Sequence, residues 1–146
     1  MQNGMKLIAI GLALSYEDRK QRITMLNDSI DAITDAIRSS SNVDGLPRGT
    51  GVTDPVTNRL IRVQAIEAER DAEQDRVNAV DWAEEYVRAI FKEEDGDKLM
   101  AALELYLQKK KKEAHILLSE TSITESSFHY ARQTYMNQIL HYLHYI

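Results

Sequence analysis

The spacing of isoleucine and leucine in residues 16–38 constrains the fold of this chain more than any other feature. Apolar residues recur at intervals of 3, 4, 3 and 4 positions, and the residues between them are nearly all polar. The members of this stripe are Ile23, Leu26, Ile30, Ile33 and Ile37. Such a stripe is the a/d seam of an amphipathic helix. The segment therefore predicts a long helix that packs against another helix.

A second long helix is predicted from Val56 to about Glu94, because valine, leucine and isoleucine recur there with helical spacing. Near its end, Trp82, Tyr86 and Ile90 add a second apolar edge, broad enough to contact more than one neighbour. Residues 67–97 contain twelve acidic residues and four basic ones. We interpret this excess of negative charge as a solvated outer face of the helix.

The segment between the two helices, residues 39–55, reads SSSNVDGLPRGTGVTDP. Its three Ser, three Gly and two Pro exclude a helix or a central strand. We expect Thr53 or Asp54 to cap the second helix, with Pro55 in its first turn, where a missing N–H costs nothing. The sequence therefore predicts an antiparallel helical hairpin closed by a long loop.

The rest of the chain is predicted to hold three shorter helices. Gly96 is expected just past the end of the second helix, where glycine is the favoured residue, and Asp97 is expected to cap the third. The remaining predicted elements are a helix to Leu107, a short helix at about 111–120, a turn at 121–123 and a final helix capped by Thr124. No segment alternates with period two long enough to form a strand.

These patterns predict an all-α fold, a long antiparallel helical hairpin followed by a small C-terminal helix-turn-helix unit. The expected divisions are an apolar N-terminal segment at 1–15, the hairpin at 16–96 and the helix-turn-helix unit at 97–146. The apolar run at 7–14 faintly resembles a signal peptide, but it is too short to span a bilayer and is better read as the start of a helix or a loose terminus. We expect no membrane partner.

Charge is distributed unequally along the chain. The net charge is −5, and cysteine is absent, which excludes disulfides and cysteine-based zinc sites. Residues 1–97 hold 12 basic and 19 acidic residues, a net −7, whereas residues 98–146 hold 6 and 4, a net +2. The C-terminal segment is therefore the part of the chain suited to a polyanion.

Residues 111–133, KKEAHILLSETSITESSFHYARQ, have the dimensions of a helix-turn-helix. Thr124 is expected to cap the second helix of the pair, which in such motifs enters the major groove. The positions predicted to contact bases or phosphates are Thr124, Ser126, Ser127, His129, Tyr130 and Gln133, with Lys109, Lys110, Lys111 and Lys112 beside the DNA backbone. An ordinary αα-hairpin with a solvated lysine run is the alternative interpretation.

Enzymatic and metal sites find little support in the sequence. The chain has no Gly-rich phosphate loop after a strand, no nucleophile elbow and no HExxH motif. His141 with His144, and Glu125 with His129, have spacings that a metal site can use, but terminal histidines on an amphipathic helix are usually surface residues. We expect no enzyme activity, no cofactor and no metal.

Two segments read together resemble the ArpU/RinA-type transcriptional regulators of phages and prophages of Gram-positive bacteria. Residues 39–57 are similar to the family's Ser-rich stretch that runs through Met-Pro-Gly/Arg-Gly into Asp-Pro-Thr before a long helix. Residues 105–132 match in a Tyr-Leu pair that ends one helix, and in residues 123–129, ITESSFH, which stand where the family has Ile-Ser-Glu-x-Thr-Tyr-Tyr. The family's basic residue after its aromatic pair is Tyr130 here.

The resemblance implies a cytoplasmic activator of late phage genes whose C-terminal unit is similar to the promoter-reading region of sigma factors. It implies double-stranded DNA as the partner, with RNA polymerase as a further one. We expect the hairpin to serve either for self-association or for docking of a partner. The resemblance places Thr124 at the family's N-cap serine and Ser126, Ser127 and His129 on the DNA-facing turn, with Arg132 as the substitute for the missing basic residue. The alternative is a structural or packaging protein, such as a small terminase-like subunit.

Overall fold

A computed structural model of the chain describes residues 3–41 and 55–146. Within these residues it contains six helices and no strand, which confirms the predicted all-α class. The helices are α1 (Asn3–Leu14), α2 (Tyr16–Ser41), α3 (Pro55–Ile90), α4 (Glu93–Leu107), α5 (Lys111–Ser119) and α6 (Glu125–Tyr142). No helix in this described part of the chain is both long and apolar enough to cross a membrane.

The helix that carries the isoleucine stripe extends further than predicted. α2 continues through Ser39 to Ser41, because serine lowers helix propensity only moderately and does not force a helix to end. α3 begins at Pro55, in agreement with the expected place of this proline in the first turn. The predicted caps Thr53 and Asp54, with the rest of residues 42–54, lie outside the described residues.

The chain divides into two compact units: a central unit, Asp18–Gln74, and a larger unit, Met1–Glu17 with Asp75–Ile146. These bounds differ from the expected divisions at 15 and 96. In the larger unit, α1 packs against α4 and α6, and its Ala9 and Leu12 belong to the buried core. The apolar N-terminal segment is therefore a packed helix, because its small and apolar side chains cover the apolar faces of α4 and α6.

In the central unit, α2 and α3 run antiparallel. An ion pair joins Arg19 Nη1 to Glu73 Oε2 at 2.7 Å, and Arg22 pairs with Glu69 one turn further along. At the other end of the unit, Arg59 Nη1 donates a hydrogen bond of 3.3 Å to the carbonyl oxygen of Ala36. Within the isoleucine stripe, Ile30 is buried and the other four members are half-buried. The stripe therefore faces inward, as its spacing predicts.

The larger unit has a continuous apolar core. Its largest fully buried side chains are Val87, Leu99, Leu103, Phe128, Met136, Ile139 and Leu140, from α3, α4 and α6. Burial of each such side chain contributes about 2 kcal/mol relative to exposure. The second half of α6 is thus anchored in the core, whereas its first half carries several exposed residues.

The predicted junction between the second and third helices is wrong. α3 ends at Ile90, not near Glu94, and α4 already begins at Glu93. Lys92 has extended backbone and takes the N-cap position, and the first turn of α4 holds three acidic side chains. Negative charge stabilises the N-terminus of a helix and destabilises the C-terminus, so the acidic run starts a helix instead of ending one.

Gly96 and Asp97 therefore have other roles than predicted. Gly96 is buried inside α4 and does not terminate a helix. Asp97 does not cap α4; its carboxylate accepts a hydrogen bond of 2.9 Å from Arg88 Nη1. Arg88 also donates from Nε to Glu84 at 3.0 Å, so one guanidinium links the end of α3 to the beginning of α4.

Candidate nucleic-acid interface

The lysine run Lys109–Lys112 connects α4 to α5 and is exposed throughout. The amide of Lys109 donates to the carbonyl of Tyr106 at 3.0 Å, and the amide of Lys110 donates to that of Leu105 at 2.8 Å. These two bonds form a Schellman motif, in which Lys109 has a left-handed backbone with φ of 66°. The chain reverses here, so Lys110, Lys111 and Lys112 stand at the N-terminus of α5.

The N-terminus of α5 suits a phosphate group for two reasons. The unpaired backbone N–H groups of a first helical turn and the helix dipole both favour an anion. Lys110 is the N-cap residue, and its side chain makes no capping hydrogen bond. Glu113 is the acidic residue of this first turn, against three lysines in positions 110–112.

The turn between α5 and α6 is closed by its own hydroxyl groups. Thr121 Oγ1 donates to the carbonyl oxygen of Leu118 at 2.8 Å and accepts from the amide of Ile123 at 3.2 Å. Ser122 Oγ donates to Asp95 Oδ2 at 2.8 Å, which ties the turn to the first turn of α4. These polar residues stand where an apolar residue and a glycine are usual in the motif, and they replace packing with hydrogen bonds.

Thr124 is confirmed as the N-cap of α6. Its backbone is extended, and its Oγ1 accepts a hydrogen bond of 3.2 Å from the amide of Ser127. The Thr124 hydroxyl also donates to Ser127 Oγ at 3.0 Å, so the Ser127 side chain, predicted to contact DNA, belongs to the cap. Cap and acidic first turn together stabilise the beginning of α6 by about 1 kcal/mol or more.

The predicted DNA-facing residues of α6 differ in exposure. Ser126, His129 and Tyr130 are exposed, and the Tyr130 side chain is 59% accessible. Gln133 is only half-buried, two turns further along the helix. An exposed hydroxyl, imidazole and phenol on the first turns of a capped helix can reach base edges and phosphates.

Arg132 is held against an aromatic ring of α4. Its guanidinium carbon lies 3.9 Å from the centre of the Tyr106 ring, and Lys111 Nζ lies 5.3 Å from the same centre. Tyr106 also contacts Phe128 edge-to-face, with ring centres 5.8 Å apart. The Tyr106 ring therefore contacts one cation from α5 and one from α6. No local sequence pattern indicates this role.

The nitrogen atoms of the Arg132 guanidinium differ in their contacts. Its Nη2 lies 2.9 Å from His129 Nδ1. Its Nε is buried and has no hydrogen-bond partner among the described residues. Arg132 is half-buried as a whole, and its Nη2 lies beside the imidazole of the exposed His129.

Carboxylates lie around the turn between α5 and α6, at the end of α5 opposite the lysine run. Glu125 Oε1 lies 3.7 Å from His115 Nδ1, and Glu120 Oε2 lies 3.3 Å from Lys98 Nζ. Asp95 accepts from the turn, as described above. The positive side of the candidate interface is therefore the side of Tyr106 and the lysine run, and the turn is its acidic side.

The larger unit also contains a cavity of about 370 Å³. Its walls are mainly apolar, and its polar groups are Tyr16, Glu17, Glu84, Arg88, Glu104 and Tyr135. Among the described residues, no serine, threonine, cysteine, lysine or histidine lines it, so this described lining offers no paired nucleophile and base of those types. Within the described residues, no three His, Asp or Glu side chains are grouped as a metal site requires.

No protein-family model, curated protein or solved structure matches the chain.

Proposed function

We propose that this protein is a DNA-binding transcriptional regulator, an activator of late phage or prophage genes of the ArpU/RinA type, acting in the cytoplasm of the bacterial host. The observation that supports it best is the arrangement of Lys110, Lys111 and Lys112 at the N-terminus of α5, followed by a short turn and the capped α6 with exposed polar residues. This region also lies in the part of the chain whose net charge is positive, +2 in residues 98–146.

In this proposal, α6 enters the major groove and α5 contacts the DNA backbone. Ser126, His129 and Tyr130 contact base edges, because their side chains are exposed on the first turns of α6. The lysines neutralise phosphates on one side of the groove, which fixes the orientation of α6 but carries no sequence information.

The first test is an anisotropy titration of the full chain with labelled duplex DNA from a late-gene promoter, repeated over a range of salt concentrations. Two lysines that contact two phosphates contribute about 1.8 to the slope of log affinity against log salt. The double substitution Lys110→Ala/Lys112→Ala should lower the slope by about that amount and weaken binding to every sequence. Lys111 is left in place because it contacts Tyr106.

The matched control is Lys20→Ala/Lys92→Ala, which removes the same charge elsewhere. Lys20 lies in the central unit, and Lys92 lies at the opposite end of α4 from the lysine run. This variant should retain the salt slope of the parent protein. Binding that is insensitive to salt, or that both double variants weaken equally, would contradict the proposal.

Recognition of the DNA base sequence by α6 is tested separately with Ser126→Ala and His129→Ala. Loss of a base contact costs about 1–3 kcal/mol of discrimination between the right and the wrong base pair, whereas loss of a phosphate contact leaves discrimination unchanged. Competition between promoter and unrelated duplexes measures this ratio. A ring-shaped oligomer in light scattering, with no preference for promoter DNA, would instead favour the terminase-like alternative.

A further inference from the structure

An aromatic surface on the larger unit plays no part in the proposed DNA contact. We call it the Trp82 surface, formed by Trp82, Tyr86 and Ile90 of α3 and Tyr142 of α6. Their exposed fractions are 46%, 43%, 44% and 37%. On α3 these residues follow one another at intervals of four, so they lie along one side of the helix. Tyr142 joins them from α6, because its ring centre lies 6.3 Å from that of Trp82.

The tryptophan of this surface is fixed in place while it remains exposed. The indole Nε1 donates a hydrogen bond of 3.1 Å to Gln138 Oε1 on α6. Its polar atom is therefore satisfied within the unit, and the ring offers mainly apolar area. A rigid, half-exposed aromatic side chain loses little conformational entropy on binding, which is why tryptophan and tyrosine are enriched at the centres of interfaces.

The size of the Trp82 surface fits a small partner better than a stable dimer. Taking about 200 Å² for each such side chain, the four expose on the order of 300 Å². A standard protein interface needs about 800 Å² from each partner. The surface is thus large enough for the apolar core of a transient contact and too small for that of a permanent one.

The charge around the surface is negative. Asp75 and Glu85 lie on the same side of α3 as Trp82 and are exposed. Beyond Arg132, α6 and the residues that follow it contain no lysine or arginine. In a symmetric dimer through this surface both copies would bring the same negative charge to the interface, which disfavours association. A partner with positive charge is favoured instead.

We propose that the Trp82 surface binds a basic amphipathic helix of a partner protein. The apolar side chains of that helix pack against Trp82 and Tyr86, and lysine or arginine residues on its flanks pair with Asp75 and Glu85. Docking of an amphipathic helix through anchors one turn apart is a common form of peptide recognition. The inference is independent of DNA binding, because none of these residues lies in the lysine run or on the first turns of α6.

The test uses the full chain and a synthetic leucine–lysine amphipathic helix of about five turns that lacks tryptophan. Trp82 is the only tryptophan of the chain, so its fluorescence reports directly on this surface. Saturable binding with a blue shift of the emission is expected. A matched helix with glutamate in place of lysine should bind at least about ten-fold more weakly.

Substitutions in the protein show whether the surface itself is responsible. Tyr86→Ala/Ile90→Ala should weaken binding of the lysine helix about ten-fold or more, and Glu85→Lys should weaken it several-fold. The controls are Ile116→Ala and Glu113→Lys, exposed residues of α5 of the same types, which should bind as the parent does. Circular dichroism verifies that each variant is folded, and Glu85→Lys alters only an exposed side chain.

Three results would overturn the proposal. If both synthetic helices bind equally, charge plays no part in the binding. If the variants of the Trp82 surface and the controls bind the lysine helix with equal affinity, the helix binds elsewhere. If the tryptophan emission shifts with protein concentration alone, and Tyr86→Ala/Ile90→Ala abolishes a dimer in sedimentation, the occupant is a second copy of the chain.

Discussion

The guanidinium carbon of Arg132 lies 3.9 Å from the centre of the Tyr106 ring, 26 positions earlier in the chain. This contact joins the end of α4 to the middle of α6 and holds one cation near the lysine run. It is a cation–π pair, an interaction that contributes about 0.5–2 kcal/mol depending on solvent exposure.

The first prediction concerns this pair. Tyr106→Leu, Arg132→Gln and the double variant should give a coupling free energy of about 1 kcal/mol in a double-mutant cycle, because each single change removes the same contact. Urea unfolding followed by circular dichroism measures it. Tyr106→Phe keeps the ring and should keep most of the coupling; a coupling near zero would show that the cation–π contact contributes nothing to stability.

The second prediction concerns the cap of α6. Thr124→Ala should lower the free energy of unfolding by about 1 kcal/mol, because the Ser127 amide loses its acceptor. Thr124→Ser should restore most of that loss. Ser126→Ala, one position into α6 and exposed, is the control and should change stability little. Equal effects of Thr124→Ala and Ser126→Ala in urea unfolding would argue against a capping role.

The third prediction tests the position of Gly96 inside α4. A Cβ atom added at Gly96 meets Arg88 Nη1 at 3.0 Å, the flexible end of a long side chain, and nothing else closer than 3.9 Å. Gly96→Ala should therefore stabilise the protein by up to about 1 kcal/mol, since alanine is the better helix former. At a helix C-terminus with left-handed backbone the same change would destabilise.

Gly11→Ala provides the reference for this measurement. Gly11 lies within α1, and a Cβ atom there meets nothing within 4 Å. Its substitution should show the full gain in helix propensity without a steric cost. Thermal unfolding of both variants shows whether Arg88 moves aside. A clear loss of stability in Gly96→Ala alone would mean that its contacts with Asp97 and Glu84 hold Arg88 rigidly.

The fourth prediction concerns alkaline pH. Burial raises the pKa of the Tyr135 hydroxyl above its ordinary value, and nearby carboxylates add to the effect. A pKa that is higher in the folded state than in the unfolded one means that folding favours the protonated phenol. The resulting stability is complete below the ordinary tyrosine pKa of about 10 and is lost as the pH rises above it.

The free energy of unfolding should therefore fall with pH above about 10, and Tyr135→Phe should make the fall shallower. Urea titrations between about pH 8 and pH 11 measure the slope. Tyr130→Phe, a change at an exposed tyrosine of the same helix, serves as the matched control. If both variants alter the slope equally, burial of Tyr135 is not its cause.

Features that depend on neighbouring residues were predictable from the sequence. The isoleucine stripe of α2 and the cap at Thr124 are patterns within one or two helical turns, and the structure contains both. The short helix expected at about 111–120 is α5, which spans Lys111–Ser119. The acidic residues 93–95 were assigned to the wrong helix because glycine at 96 suggested an end, whereas the preference of negative charge for a helix N-terminus decides the matter.

Features that depend on tertiary packing were not predictable in this way. Tyr106 belongs to the Tyr-Leu pair at the end of a predicted helix, and nothing local indicates that Lys111 and Arg132 meet over its ring. Ser127 is predicted to contact DNA, and its hydroxyl also accepts a hydrogen bond from the Thr124 cap, which the sequence pattern does not indicate. Gln133 was expected to point outward and is half-buried, since α6 enters the core shortly beyond it.

The left-handed backbone of Lys109 allows conformation and charge to be separated at the proposed interface. Glycine adopts this conformation without steric cost, whereas a lysine there is strained by about 1 kcal/mol. Lys109→Gly should therefore remove a positive charge while making the fold more stable. A variant that binds DNA less tightly and yet resists unfolding better cannot owe its weaker binding to damage, so this single position separates recognition from folding.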